Sequence, residues 1–279
     1  WWMMQSSQEA EQMFDSSLLQ FSAFIVIGLA VVLWLFSLVI RDVSIVDSFW
    51  SIMIMVAGIG YLYMAADSEA YSLHERHIVV TALLIFWAVR LSAYISMRNR
   101  GHEEDARYQE IRRNNEPHFE FKSLYIVFLL QAVLALVVSL PLMSVVTVSA
   151  PVNIIDYVAL CLWCFGMFFE VVGDMQLKRF KSNPDNKGKV LDTGLWRYTR
   201  HPNYFGEFCI WWAFYLFAIA GGGYWSIVSP ILMSLLLLKV SGVSLLEKDI
   251  SERRPAYQRY RETTNAFFPW FPSAKKEDA

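Results

Sequence analysis

Long uninterrupted runs of apolar residues dominate the sequence. A run of about 18 or more such residues is long enough to cross a bilayer as a helix, and these runs are apolar all round, as lipid-facing helices are. Seven segments meet this description, with ends placed to within several residues: 18–40, 44–66, 77–97, 123–148, 153–174, 203–222 and 224–246. The pattern predicts an all-α integral membrane protein of about seven transmembrane helices. It has a polar segment at 1–17, a single membrane domain at 18–272 and a polar tail at 273–279.

The basic residues fall in alternate connections between the apolar runs. Of the 24 Lys and Arg residues, 21 follow run 1, separate runs 3 and 4, separate runs 5 and 6, or follow run 7. Cytoplasmic segments of membrane proteins carry such an excess. The distribution therefore predicts an N-terminus outside and a C-terminus in the cytoplasm, with both large polar segments and the tail on the cytoplasmic side.

Composition and charge exclude several classes of protein. The chain is 56% hydrophobic and 18% charged, which is too apolar for an average soluble domain. A net charge of −2 provides no basic field to attract nucleic acid. Three cysteines give no disulfide framework. Cys161 and Cys164 form a C-x-x-C pair inside an apolar run, where a metal or redox site would need further ligands, so we expect no metal.

Several ionisable residues lie within or at the edges of the apolar runs: Asp47, Arg90, Asp156, Glu170, Asp174, Glu207, Lys239 and Glu247. A charge in a membrane span costs a few kcal/mol, so it requires a partner or a function. Under the predicted topology all except Asp156 lie in the cytoplasmic half or at that edge. Two explanations remain open: structural ion pairs, such as Asp47 with Arg90, or a cytoplasm-facing cavity that accepts a polyanionic ligand.

The segment 174–207 combines basic and aromatic residues just before run 6, in a pattern that suits a nucleotide. Lys and Arg bind phosphates, Trp196 or Tyr204 offers a ring for stacking, and Asn203 offers an amide. The G-x-G-x-x-G fingerprint of a Rossmann domain does not follow any strand here. A nucleotide would therefore be held by a different fold.

The string GLWRYTRHPNYFGE at 194–207 resembles the signature of membrane steroid 5-alpha-reductase-like proteins, above all their poorly characterised bacterial branch. Sterol reductases of the lamin B receptor type share its His-Pro-Asn-Tyr core. The resemblance extends over about 44–272 through further motifs: Ser44 to Asp47 with Trp50, Trp87 to Leu91, Glu104 to Tyr108, Asp174 to Lys181, and the tail from Tyr257 to Pro269.

The resemblance implies an oxidoreductase that binds NADPH from the cytoplasmic side and reduces a C=C bond of a lipophilic, steroid- or isoprenoid-like substrate. It implies cofactor-binding roles, within a cofactor half at about 153–272, for these residues: Asp174, Lys178, Lys181, Trp196, Arg200, His201, Asn203, Tyr204, Glu207, Tyr257 and Tyr260. Glu207 is also a catalytic candidate. For His201 a proton donor and a neutral imidazole remain open, and Tyr257 and Tyr260 have interfacial docking of the tail as an alternative.

Characterised steroid reductases use a Glu and a Tyr on two early spans to polarise the substrate carbonyl, and this sequence departs from that pattern. Asp47 is the only acid in run 2, and run 3 offers Trp87, Arg90 and, one turn on, Tyr94. Asp47 and Arg90 are therefore the remaining catalytic candidates, as a pair that hydrogen-bonds a carbonyl.

Two other functions compete with the reductase. Isoprenylcysteine and phospholipid methyltransferases carry a similar Arg-His-Pro-x-Tyr-x-Gly string and use S-adenosylmethionine. Alternatively, the chain is a non-catalytic member of the family and a structural subunit of a membrane complex. Either function is compatible with a bacterial inner membrane or a eukaryotic endomembrane or organelle membrane.

Overall fold

The computed structural model describes residues 14–67, 72–148, 150–240, 243, 247 and 256–273, and within these ranges the chain is helical, with no strand. The predicted polar segments 1–17 and 273–279 lie outside these ranges, apart from residues 14–17 and Ser273. Five helices are long and apolar enough to cross a membrane: α1 (Ser16–Ile40), α2 (Ile45–Ala66), α3 (Glu75–Asn99), the composite α5 (Phe119–Thr147) and α6 (Ile154–Ser182). The prediction of an all-α fold with apolar, membrane-length helices is confirmed.

The other helices are shorter or more polar. They are α4 (Ala106–Asn114), α7 (Pro202–Ala220), α8 (Tyr224–Lys239) and α9 (Ala256–Thr263). Helices α7 and α8 correspond to the sixth and seventh predicted runs. They are apolar, but they do not join the five helices that meet the criteria of length and hydropathy. The number of spans therefore stays a prediction.

The chain forms two compact units. The first contains residues up to Asn153 together with Phe217–Ser229, and the second contains Ile154–Leu216 together with the chain from Pro230 onward. Every residue predicted to bind the cofactor falls in the second unit, whereas the catalytic candidates Asp47 and Arg90 fall in the first.

Hydrogen bonds between side chains and neighbouring helices join the helices of the first unit. The Ser22 hydroxyl of α1 donates to the carbonyl of Ala57 in α2 at 3.1 Å. The Ser51 hydroxyl donates to Ala88 of α3 at 2.9 Å. Such bonds between apolar helices contribute about 0.6 kcal/mol each. They fix which faces of α1, α2 and α3 meet.

Helix α5 is interrupted twice. A π-helical turn occupies Leu124–Leu129, and a break at Ser139 separates Leu130–Val138 from Leu140–Thr147. Pro141 lies in the first turn after this break, where its missing N–H leaves no hydrogen bond unmade. Pro141 is therefore accommodated at the break in α5 without the loss of a helical hydrogen bond.

Candidate functional site

Helices α6 and α7 of the second unit approach closely because glycines face each other. A Cβ atom on Gly206 would lie 2.5 Å from the carbonyl oxygen of Gly166, and a Cβ on Gly166 would lie 2.6 Å from the carbonyl oxygen of Gly206. Further along, a Cβ on Gly173 would lie 3.2 Å from the backbone nitrogen of Asn203. Small residues allow this backbone approach, which brings the neighbouring polar side chains of the two helices together.

Four of those polar side chains are Glu170 and Asp174 on α6, and Asn203 and Glu207 on α7. The three acids are buried. The Asn203 amide donates to Asp174 Oδ1 at 3.2 Å, and the Trp211 indole N–H donates to Glu207 Oε1 at 3.0 Å. Buried carboxylates and an amide provide both donors and acceptors for a polar ligand group such as a carboxamide.

A basic surface follows directly after this cluster. The end of α6 and the connection beyond it expose these side chains: Lys178, Arg179, Lys181, Lys187 and Lys189. Asn183 caps the short 3₁₀ turn at Pro184–Asn186, where its side chain accepts from the Asp185 backbone N–H at 3.0 Å. Exposed ammonium and guanidinium groups along one stretch of the chain suit phosphate groups.

The turn at Gly194–Arg197 is built on α6. Gly194 has φ +63°, and a Cβ there would collide with the side chain of Gln176. The side-chain amide oxygen of Gln176 accepts from the backbone N–H of Leu195 at 3.0 Å, and the Trp196 indole N–H donates to the backbone carbonyl of Gly173 at 3.1 Å. Trp196, predicted to line the cofactor, is thus buried and holds this turn against α6.

Arg200, His201 and Tyr257 surround one carboxylate, that of Glu247. Arg200 Nε and Nη2 donate to its two oxygens at 2.7 and 2.8 Å, His201 Nε2 lies 2.9 Å from Oε1, and the Tyr257 hydroxyl donates at 3.2 Å. Burial opposes ionisation of Glu247, but the bonds from His201 and Arg200 outweigh it and lower its pKa to about 2. These three predicted cofactor residues therefore form a network inside the protein.

The tail completes this network. Arg200 Nη1 donates to the carbonyls of Arg261, at 3.0 Å, and of Thr264. The Tyr260 hydroxyl donates to the carbonyl of Trp196. Sequence reasoning recognised Glu247 as a charge at the edge of run 7 but gave it no role. Its separation of 47 residues from Arg200 offered no signal for the pairing.

Asp47 is held in the first unit by two residues of α4 rather than by Arg90. Arg107 Nη2 donates to Asp47 Oδ2 at 2.8 Å, and the Tyr108 hydroxyl donates to Oδ1 at 2.6 Å. The guanidinium of Arg90 lies over the Tyr94 ring, 5.4 Å from its centroid. The structural ion pair of Asp47 with Arg90, one of the two explanations that the sequence left open, is therefore wrong: Arg107 supplies the cation that balances Asp47.

The polar connection that contains α4 also binds the corner between α1 and α2. Glu104 accepts from Arg112 at 2.8 Å and from the backbone N–H of Val43 at 2.9 Å. Burial and the charge of Asp47 raise the pKa of Tyr108 above its ordinary range, so Tyr108 stays a hydrogen-bond donor at neutral pH. The Glu104 to Tyr108 motif thus ties α4 to the beginning of α2.

Helices of this length and apolarity, with buried charged clusters at their ends, define a helical membrane protein. Residues 33–264 match the family described as a protein of unknown function, DUF1295, and the chain belongs to this family. The family consists of membrane proteins of the steroid 5-alpha-reductase-like type.

An uncharacterised protein of the fission yeast Schizosaccharomyces pombe is 28% identical over 268 residues, covering 85% of this chain and 76% of the relative. No solved structure matches the chain.

Proposed function

We propose that this protein is an NADPH-dependent membrane reductase of a C=C bond in a lipophilic, steroid- or isoprenoid-like substrate. One observation carries the proposal: the exposed basic surface at the end of α6 adjoins the hydrogen-bonded pair of buried Asp174 and half-buried Asn203 within the same unit. A ligand that has phosphates and a polar ring amide requires this combination of charge and hydrogen-bonding groups.

The residues of the second unit divide into two groups under this proposal. Lys178 and Lys181, which are exposed, bind the phosphates. Asn203, Tyr204 and Glu207 hold the nicotinamide end, with Asp174 orienting the Asn203 amide. When bound, NADPH would supply the hydride for reduction of the double bond, and water would supply the accompanying proton.

The second group supports the site without binding the cofactor directly. Arg200, His201 and Tyr257 each bond to Glu247 through at least one polar atom, while Trp196 and Tyr260 bond to backbone carbonyls. We assign these five residues the role of holding the 194–201 turn in shape. In the first unit, Asp47 and Arg90 remain the residues that we propose to bind the substrate carbonyl. Arg107 and Tyr108, whose side chains donate to Asp47, are added to this group.

The network around Glu247 also favours one alternative, a structural subunit of a membrane complex. Its hydrogen bonds would stabilise the fold whether or not the protein catalyses a reaction. S-adenosylmethionine has no phosphate, so a methyltransferase would leave the basic surface without a ligand.

We also propose seven spans with the N-terminus outside. The cofactor site then faces the cytoplasmic side of the membrane that holds the protein, either a bacterial inner membrane or a eukaryotic endomembrane or organelle membrane.

Transfer of deuterium from labelled NADPH tests this proposal. The purified protein is incubated in lipid nanodiscs with NADPH deuterated at the transferring carbon and with a panel of enone lipids. We expect products that have gained one deuterium and one hydrogen, detected by mass spectrometry. Asn203→Ala is expected to reduce product formation at least tenfold, whereas Asn265→Ala, at an exposed position of the tail, leaves it unchanged. Equal loss in both variants, or deuterium-free products, would contradict the proposal.

A further inference from the structure

Backbone hydrogen bonds fix the tail segment 264–273 onto the turn before α7. The Trp270 N–H donates to the carbonyl of Tyr198 at 2.9 Å, and the Arg200 N–H donates to Asn265 at 2.9 Å. The Thr199 hydroxyl donates to the carbonyl of Phe267 at 2.7 Å. The side chains of this segment therefore hold defined positions relative to the beginning of α7.

Aromatic contacts place the tail at the level where α7 begins. The Phe267 ring lies 6.1 Å from Phe205 and 5.6 Å from Phe208, and the Phe268 ring lies 6.0 and 5.7 Å from the same two residues. Phe205 and Phe208 belong to the first two turns of the apolar helix α7. Phe205 also lies 6.1 Å from Phe165 of α6. The tail thus continues an aromatic cluster of two apolar helices.

Three large aromatic residues of this ordered segment face outward. Phe268 is 58% exposed, Trp270 is 69% exposed and Phe271 is 74% exposed. Exposed apolar clusters mark sites that bind a partner or a membrane. Trp at the end of an apolar helix is typical of the interface between lipid and water, because its apolar ring and its polar N–H both find suitable surroundings there. Phe side chains beside it supply apolar surface for the same layer.

We propose that Phe268, Trp270 and Phe271 insert into the interfacial layer of the phospholipid bilayer and anchor the tail there. The partner is the lipid of the membrane that holds the protein. This assignment follows from continuity with α6, whose Phe165 and Phe168 side chains are also exposed on an apolar helix. Arg197, exposed and adjacent to Tyr198, matches the charge of lipid phosphates. The anchor does not depend on any catalytic activity.

Depth measurement by spin labelling tests the anchor. The full chain, with its three cysteines replaced by alanine, receives a single cysteine by Phe271→Cys, which leaves Trp270 in place. Phe168→Cys provides a lipid-facing reference and Gln258→Cys an exposed reference on the polar helix α9. Each labelled protein is reconstituted in phosphatidylcholine nanodiscs. Power saturation then measures collision with oxygen, which enters the bilayer, and with a water-soluble nickel chelate.

We expect the label at 271 to collide severalfold more with oxygen, relative to nickel, than the label at 258, with a ratio between those of 258 and 168. A ratio equal to that of 258 would place the tail in water and overturn the proposal. Protection from both reagents would indicate a covering protein surface and overturn it too.

A second measurement avoids the cysteine replacements. Emission of the natural chain and of Trp270→Phe is compared in nanodiscs that contain lipid brominated near the headgroup. The natural chain is expected to lose more emission than the variant. Equal quenching would contradict insertion of Trp270.

Discussion

At the scale of single residues, Glu247 shows how contacts distant in sequence set the chemistry of a group. Arg200, His201 and Tyr257 all face its carboxylate, and its pKa falls from an ordinary 4.5 to about 2. A carboxyl whose pKa is lowered by folding stabilises the protein above its unfolded-state pKa. This stabilisation is lost as the pH falls toward the folded-state value.

Glu247→Gln should therefore destabilise the protein at pH 6, by about 2 kcal/mol, because hydrogen bonds to a charged acceptor are lost. The difference from the natural chain should shrink as the pH falls from about 4.5 toward about 2. Thermal unfolding in detergent over this range measures it. Glu262→Gln, at an exposed residue of α9, is the matched control and should change little. A difference independent of pH would show that ionised Glu247 does not stabilise the fold.

The pairing of Asp47 can be tested by a double-mutant cycle. Asp47→Asn and Arg107→Gln should show a coupling of about 1 to 3 kcal/mol, because the two residues are in direct contact. Asp47→Asn and Arg90→Gln should be additive within about 0.5 kcal/mol. Unfolding free energies of the single and double variants decide between the two cations. Coupling to Arg90 and not to Arg107 would restore the pair expected from the sequence.

At the scale of helices, continuous apolar runs predicted where the long helices lie, to within a few residues at most of their ends. Runs 18–40 and 44–66 correspond to Ser16–Ile40 and Ile45–Ala66. The run 153–174 ended too early, because α6 continues to Ser182 through polar residues. Hydropathy detects only the apolar part of a helix. The backbone hydrogen bonds of α6 continue past that part, so the helix is longer than the apolar run.

The candidate site was only partly predictable. The string at 194–207 includes the turn that packs against α6, and Glu170 and Asp174, one helical turn apart on that helix, are both buried. The partners Arg107 and Glu247 could not be found, since pairing across 60 and 47 residues depends on packing that no local pattern encodes.

The close approach of α6 and α7 gives a prediction for the glycines. Gly206→Ala should destabilise the protein by about 2 kcal/mol or more, because its methyl group would lie 2.5 Å from the Gly166 carbonyl oxygen. Gly28→Ala, where no atom lies within 4 Å, should be neutral or stabilise α1 by up to about 1 kcal/mol. Thermal unfolding of both variants in the same detergent tests this pair. Equal effects would show that the glycine contact does not limit the packing.

At the scale of the whole molecule, the distribution of charge gives a testable topology. Reporter fusions placed after residue 222 and after the last residue should report opposite sides of the membrane, with the C-terminal fusion cytoplasmic. A fusion after residue 114 should behave like the C-terminal one, because it lies in the basic connection between runs 3 and 4. If the fusions after residue 222 and after the last residue lie on the same side of the membrane, the prediction of seven spans is contradicted.

Binding of NADPH by the second unit is tested by a titration of the purified protein. Calorimetry in nanodiscs compares NADPH with S-adenosylmethionine, for the natural chain, Lys178→Ala and the control Arg100→Ala, which alters an exposed cation of the first unit. We predict micromolar binding of NADPH that Lys178→Ala weakens at least tenfold and Arg100→Ala leaves unchanged. Binding of S-adenosylmethionine alone, or of neither ligand to folded protein, would contradict the reductase.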